Sequence, residues 1–235
     1  MLLYLIRHGE PDSTTDRLTE RGWAQARLVA ARLAKSGIDE IRTSPMGRAR
    51  ETAQPTAELL GLPVSVEEWA YELGADCMTE FPDGQLKTVS AVAPEYFQRE
   101  EFRRMDSAEA IERIPCIAGS ALPGRCRMIA SGFDSMLGSL GYRRNPRGTY
   151  DGVAPSERKI ALFCHAGMMR VMLAHAFNLP FQLLTAALMG NFTGVTILYF
   201  HDGKETAPAL LCYGDTGHLF AGDEDPTHYF TQGSY

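Results

Sequence analysis

Two histidines occupy matching places in this chain. His8 follows the apolar run at residues 2–6 (LLYLI) and Arg7, and His165 follows residues 159–164 (KIALFC). Open α/β sheets present ligands at the carboxyl ends of their strands, so two imidazoles at two strand ends read as a pair serving one site. Arg7 stands beside the first of them. A guanidinium is not deprotonated in a protein, and at the end of an apolar strand it needs an anionic partner; phosphate meets that need.

The elements that must position these residues follow from the apolar pattern. Short apolar runs alternate with amphipathic stretches, as in an α/β protein. Residues 2–6 and 159–164 lack polar alternation, which suits strands buried on both faces of a parallel sheet. Thr19 opens a helix in which Trp23, Ala26, Ala30 and Leu33 form one stripe, and Gly37 closes it. Residues 38–43 read as a second strand. Ser44-Pro45 suits an N-cap and first-turn pair for a helix running to about residue 60, with Pro55 expected to kink it. Residues 63–67 make a short third strand. The helix after His165 ends at Asn178 and Pro180; its Met168, Met169, Val171 and Met172 suit core packing, and His175 a packing or capping role. Residues 193–200 and 207–213 read as a hairpin around His201-Asp202-Gly203.

Between about residues 74 and 123 the pattern breaks down. Pro82-Asp83-Gly84, a charged helical stretch at 96–105 with Arg99, Arg103 and Arg104, and the prolines 115 and 123 read as a cap insertion over the sheet. Residues 143–158 read as a mobile loop and 221–235 as a flexible tail. One core can absorb all 235 residues, so a single domain over 1–235 is expected. With 23 Lys+Arg against 29 Asp+Glu, the net charge of −6 gives no counterion-release attraction to a polyphosphate, which argues against a nucleic-acid partner. The apolar run before Arg7 is too short for a signal peptide or a membrane span, so no membrane partner and a cytoplasmic location are expected. Five cysteines, an odd number without CxxC spacing, signal neither a disulfide framework nor a zinc ribbon. A homo-oligomer is left open.

The ordered motifs Arg7-His8-Gly9-Glu10, Leu18-Thr19-Glu20 with Gly22 and Gln25-Ala26, Ser44-Pro45-Met46-Gly47-Arg48-Ala49 with Thr52-Ala53, and Cys164-His165-Ala166-Gly167 resemble those of the histidine phosphatase superfamily, the phosphoglycerate mutase-like enzymes. Asn191 and Gly217-His218-Leu219 fit its C-terminal pattern, and the resemblance covers about residues 1–72 and 155–220. It implies a mostly parallel sheet flanked by helices on both faces, with a helical or irregular cap. It also implies a phosphohistidine intermediate, no metal and no cofactor.

On that resemblance His8 is the nucleophile, and Gly9 lets the backbone approach its ring. Arg7, Arg48 and His165 hold the phosphoryl group, whose charge spreads over its equatorial oxygens. The amides of Ala166 and Gly167 add donors at a helix start. Glu72, in Ala70-Tyr71-Glu72, is the expected general acid, with Glu68, Asp76 and Glu80 as neighbouring carboxylates. Cys164 lacks the acid–base partner pattern of a thiol nucleophile. Pro11-Asp12-Ser13-Thr14 after the first motif looks more like the phosphatase branches than the mutases. The expected activity is hydrolysis of a small-molecule phosphate ester; the alternatives are mutase-type phosphoryl transfer and a non-catalytic phosphate-binding protein.

Overall fold

Residues 1–12, 14–80, 84, 86–87, 117 and 119–222 are described by the structure, a computed structural model. In chain order they form β1 (Leu2–Arg7), α1 (Glu20–Ser36), β2 (Glu40–Thr43), α2 (Gly47–Leu60), β3 (Val64–Val66), β4 (Thr79–Glu80), β5 (Leu86–Lys87), α3 (Leu122–Ser139), β6 (Tyr142–Arg144) and β7 (Tyr150–Gly152). There follow β8 (Lys159–Cys164), α4 (Ala166–Phe177), α5 (Phe181–Ala187), β9 (Val195–Tyr199), β10 (Glu205–Thr206) and β11 (Ala209–Asp215).

The main sheet has the order β11-β9-β1-β8-β2-β3. Strands β1, β8, β2 and β3 are parallel, β9 is antiparallel to β1, and β11 is antiparallel to β9. Successive side chains of a strand point to opposite faces, so the two unbroken apolar runs feed two cores at once. Leu3, Leu5, Ile160 and Leu162 pack with Phe133 and Leu137 of α3 and Met168 and Met172 of α4. Tyr4, Ile6, Ala161 and Phe163 pack with Val29 and Leu33 of α1 and Ala53 of α2. Each fully buried Leu or Phe contributes roughly 1.5–3 kcal/mol. The expected α/β architecture, a mostly parallel sheet flanked on both faces, is what the chain adopts.

Helix α1 begins and ends as its sequence requires. Thr19 accepts a hydrogen bond from the Gly22 N–H, and Gly37 closes the helix at φ 70, where a side chain would be strained. Asn178 does the same for α4 at φ 53.

Three readings need correction. Ser44 is not the N-cap of α2: the helix starts at Gly47, and the Ser44 hydroxyl instead accepts the Met46 N–H at 3.2 Å and faces His165. Residues 143–158 are largely the β6–β7 hairpin, extended by β10, and three of their arginines have side-chain partners. Arg144 donates to Asn178 and Tyr150, Arg147 pairs with Glu205, and Arg158 with Glu40. Helix α3 went unread because glycines 124, 132 and 138 mask its periodicity. Gly132 is there for packing, since a Cβ would fall 2.2 Å from the Trp69 ring. Helix α2 continues through Pro55.

Most of the expected cap, including Arg99, Arg103 and Arg104, lies outside the described residues, as does the tail beyond residue 222. No helix among the described residues is long and apolar enough to cross a membrane. His175 is more than a packing residue: its Nε2 lies 2.9 Å from the Asp134 carboxylate, which also accepts from Tyr150, tying α4, α3 and β7 together.

The chain after β1 passes very close to the start of α1. A Cβ on Gly22 would sit 2.2 Å from the Glu10 carbonyl oxygen, and one on Gly9 2.7 Å from the Gly22 oxygen. Both obstacles are backbone and cannot rotate away. Gly22→Ala should therefore cost about 1–3 kcal/mol, the usual range for overpacking, and displace the segment that carries His8. Urea denaturation measures it; an unchanged midpoint would contradict the close approach.

Candidate active site

Strands β1 and β8 pair with Arg7 opposite Cys164, and the His8 N–H donates to the Cys164 carbonyl at 3.0 Å. The residues that follow both strands therefore leave the sheet side by side. The His8 and His165 ring centroids are 5.2 Å apart.

His8 is 4% exposed. Its Nδ1 lies 2.7 Å from the Gly9 carbonyl oxygen, which can only accept, so Nδ1 carries the ring hydrogen and Nε2 keeps a lone pair. Burial holds its pKa well below 6.5, reinforced by His165, Arg7 and Arg48, with the Gly9 carbonyl opposing. Gly9 is anchored in turn: its N–H donates to Thr52 Oγ1 at 2.9 Å, and that hydroxyl donates to the Arg48 carbonyl at 2.7 Å. Phe192 covers one side, its ring 5.8 Å from the His8 ring and 4.4 Å from the Arg7 guanidinium carbon.

His165 is fully buried, with Nε2 2.7 Å from the Ser44 hydroxyl. That hydroxyl already accepts the Met46 N–H, so its own hydrogen is available to Nε2. With the hydroxyl as donor the ring hydrogen sits on Nδ1, a buried atom without a hydrogen-bond partner among the described residues. Burial, Arg48 and Arg7 keep this ring neutral too.

Arg7 donates to the Gly190 carbonyl. Arg48 pairs with the Asp16 carboxylate, whose other oxygen accepts the Gly47 N–H at 2.7 Å. Asp16 sits at φ 54, on a loop closed by the Pro11–Leu18 bridge and by the Asp12 N–H on the Arg17 carbonyl. Asp tolerates that left-handed conformation better than most residues.

Glu72 reaches the start of α4. Its Oε1 accepts the Leu73 and Met168 N–H groups at 2.9 and 3.0 Å, and its Oε2 accepts the Gly167 N–H at 3.1 Å. A carboxylate is favoured there by the helix dipole. The Gly167 amide, expected to face phosphate, is thus occupied by Glu72. Glycine stands at 167 because a Cβ would fall 2.5 Å from Glu72 Oε1. The Ala166 amide, one residue earlier, is not engaged by that carboxylate. Of the other carboxylates, Asp76 is tied to Arg125 at 3.0 Å and Glu68 is exposed. Glu10 binds the Thr19 hydroxyl at 2.9 Å and serves the start of α1.

Arg7, His8, Gly9, Arg48, Glu72, His165 and Ala166 therefore gather around the ends of β1 and β8. Sequence reasoning missed Asp16, Phe192 and Thr193. Thr193 donates its N–H to the His8 carbonyl at 3.2 Å from φ 53, an unusual conformation for a β-branched residue, and its hydroxyl meets His218 Nε2 at 2.9 Å. His218, read only as part of a C-terminal pattern, thus braces the backbone behind the first histidine. No periodicity signals such contacts, since each joins residues far apart in the chain.

Fold and site together define an α/β protein with two arginines, Arg7 and Arg48, gathered around paired neutral imidazoles at the carboxyl ends of its parallel strands. Residues 3–113 match the family model described as the histidine phosphatase superfamily (branch 1). A probable phosphoglycerate mutase GpmB of Serratia proteamaculans (strain 568) is 36% identical over 123 residues, 48% of this chain and 53% of the relative, so the match spans about half of that protein's length. Two solved structures share the fold at 21% identity and a TM-score of 0.59. One is the phosphoserine phosphatase of Entamoeba histolytica in complex with 3-phosphoglyceric acid, covering 93% of this chain and 98% of that one. The other is a mycobacterial glucosyl-3-phosphoglycerate phosphatase, covering 92% and 99%. The chain is thus similar to the histidine phosphatase superfamily in sequence over residues 3–113, and to these solved structures in fold over nearly its whole length.

Burial of neutral histidines makes stability depend on pH. Unfolded, these imidazoles titrate near 6.5; folded, His8 and His165 titrate well below it, and burial with Arg32 nearby holds His218 at about 4 against the pull of Asp215. In that window the unfolded chain binds more protons, so stability rises with pH and is lost on acidification below about 6.5. At pH about 5.5 each such histidine should remove about 1.4 kcal/mol. Denaturation series at several pH values, with imidazole NMR, measure this; an ordinary midpoint for His8 or His165 in the folded protein would contradict their neutrality.

Proposed function

We propose that the protein is a metal-independent phosphomonoester hydrolase that works through a phosphohistidine on His8. The observation that carries this reading is the tautomer of His8: a buried neutral ring whose Nδ1 hydrogen is committed to Gly9, leaving the Nε2 lone pair among the charges of Arg7 and Arg48. Nε2 attacks phosphorus as the ester P–O bond breaks. Arg7, Arg48, the Nδ1–H of His165 and the Ala166 amide take the charge of the phosphoryl oxygens, already in place before the reaction. Glu72, which takes up a proton when the negative phosphate arrives beside its carboxylate, gives that proton to the leaving oxygen. A water then attacks phosphorus, the N–P bond breaks, and Glu72 takes the proton of that water.

The phosphatase names of the two structural relatives support hydrolysis of a small phosphorylated metabolite, and the name of the Serratia relative supports phosphoglycerate mutase-type transfer as the second reading. The Pro11-Asp12 sequence after the first motif favours hydrolysis. The clustered guanidinium groups supply the charge a metal would bring, and the reading places the enzyme in the cytoplasm.

Rapid quenching with labelled substrate should trap an acid-labile, base-stable phosphoryl group on His8, and His8→Ala should lose both label and turnover, while chelators leave the wild type active. Label on Cys164 or a serine, or activity that needs a divalent ion, would overturn the mechanism. Glu72→Gln should slow an alkyl phosphate by at least about tenfold and spare p-nitrophenyl phosphate, whose leaving group needs no proton. Equal loss with both esters would make Glu72 only the brace of α4.

A further inference from the structure

Thr193 is fully buried, and its φ of 53 suits glycine or asparagine and strains a β-branched side chain. A fold that keeps threonine there has a use for its hydroxyl. That hydroxyl donates to the Phe192 carbonyl at 2.8 Å, and its oxygen lies 2.9 Å from His218 Nε2. On the far side of the His218 ring, Nδ1 lies 3.4 Å from Arg32 Nη1. The Asp215 carboxylate holds Arg32 at 2.6 Å, and its other oxygen accepts the Gly217 N–H at 2.8 Å. A row of hydrogen bonds thus runs from α1 and the end of β11 into the turn that precedes β9.

The two ends of the row fix its direction. A guanidinium can only donate, and a carbonyl oxygen can only accept. Nδ1 of His218 therefore keeps its lone pair toward Arg32, Nε2 carries the ring hydrogen and gives it to the Thr193 oxygen, and the Thr193 hydrogen goes to Phe192. A charged His218 would turn an N–H against Arg32. Burial and that arginine keep the ring neutral, with Asp215 pulling the other way. Both residues at the receiving end touch His8: the Phe192 ring lies beside its imidazole, and the Thr193 N–H donates to its carbonyl at 3.2 Å.

We infer that His218 is a positioning residue for the His8 nucleophile: through the Thr193 hydroxyl it locks residues 192–193, which fix where the His8 ring points. This rests on the phosphohydrolase reading and deepens it, because it gives the segment after β11 a part in the reaction although His218 acts only through Thr193. A reacting atom misplaced by about 1 Å can cost on the order of a hundredfold in rate, so a slight loosening of this turn is enough to matter. The arginines that hold the phosphoryl group keep their own partners, Gly190 for Arg7 and Asp16 for Arg48, so binding is left in place.

The test uses the purified protein with p-nitrophenyl phosphate and an alkyl phosphate. His218→Phe keeps a ring and removes both nitrogens; it should lower kcat by roughly 10- to 100-fold on both esters, with KM within about threefold. His218→Gln, which returns an N–H near the place of Nε2, should recover part of the loss. Thr193→Val should match His218→Phe, and the double variant should lose no more than either alone, because both break one row of bonds. Nitrogen NMR of the folded protein reads the nucleophile itself. Wild-type His8 should carry its hydrogen on Nδ1 alone, whereas His218→Phe should populate both tautomers and leave the His165 signals where they were. A folded His218→Phe with kcat within about twofold of wild type, losses that multiply in the double variant, or an unchanged His8 spectrum would overturn the role. Should His218→Phe fail to fold, Thr193→Ser and Thr193→Val carry the test: the serine variant should keep most of the turnover that the valine variant loses, and equal turnover overturns the role. If the wild type hydrolyses neither ester, the hydrolase reading fails, and the His8 spectra of wild type and Thr193→Val still decide the positioning. A change of tautomer supports it, and identical spectra overturn it.

Discussion

The parallel pairing of β1 with β8 is the constraint on which the site depends. With Arg7 opposite Cys164, the two strands end together and deliver His8 and His165 to one place. A slip of one residue would exchange Leu3 and Leu5 with Tyr4 and Ile6 between two cores built by different helices, so the register is set by packing along the whole strand. The opposite edge of β1 is held as firmly. Its pairing with β9 continues into the Arg7 N–H on the Gly194 carbonyl and the Thr193 N–H on the His8 carbonyl. Both sides of the first histidine's backbone are therefore tied down, and φ 53 at Thr193 is tolerated because the surroundings hold it.

Charge is arranged around this frame by division of labour. Burial and neighbouring cations keep both imidazoles neutral, and the Gly9 carbonyl leaves the lone pair of His8 on Nε2. Two carboxylates stand at the margin for different purposes. Asp16 holds the Arg48 guanidinium together with the start of α2, and Glu72 spans the first amides of α4. Donors fixed in advance need not reorganise when a charged group arrives, which is where such sites gain most of their effect. The same burial makes the fold sensitive to acid.

Glycine marks the places where these parts meet. Gly9 and Gly22 let the first loop cross the start of α1, Gly167 admits the Glu72 carboxylate, and Gly132 accepts the Trp69 ring on the segment that leads to Glu72. Each stands where a Cβ would meet backbone, a carboxylate or an aromatic ring.

The strands of the parallel sheet, the helices α1, α2 and α4 and the meeting of His8 and His165 at two strand ends were legible from the sequence, because unbroken apolar runs, caps such as Gly37 and short ordered motifs are local signals. Where the signals were local but ambiguous, reading failed: Ser44 has the side chain of a helix cap yet serves His165, and the glycines of α3 hide a helix whose gaps are filled from elsewhere. Glu72 was found by its neighbourhood, whereas its hold on α4 could be seen only in three dimensions. The partners of the site, Asp16 on Arg48, Thr52 on Gly9 and His218 behind Thr193, are contacts between distant segments. Periodicity reports which face of an element is buried, and it carries no information about which residue of another element will stand opposite; packing of the two layers on the sheet decides that.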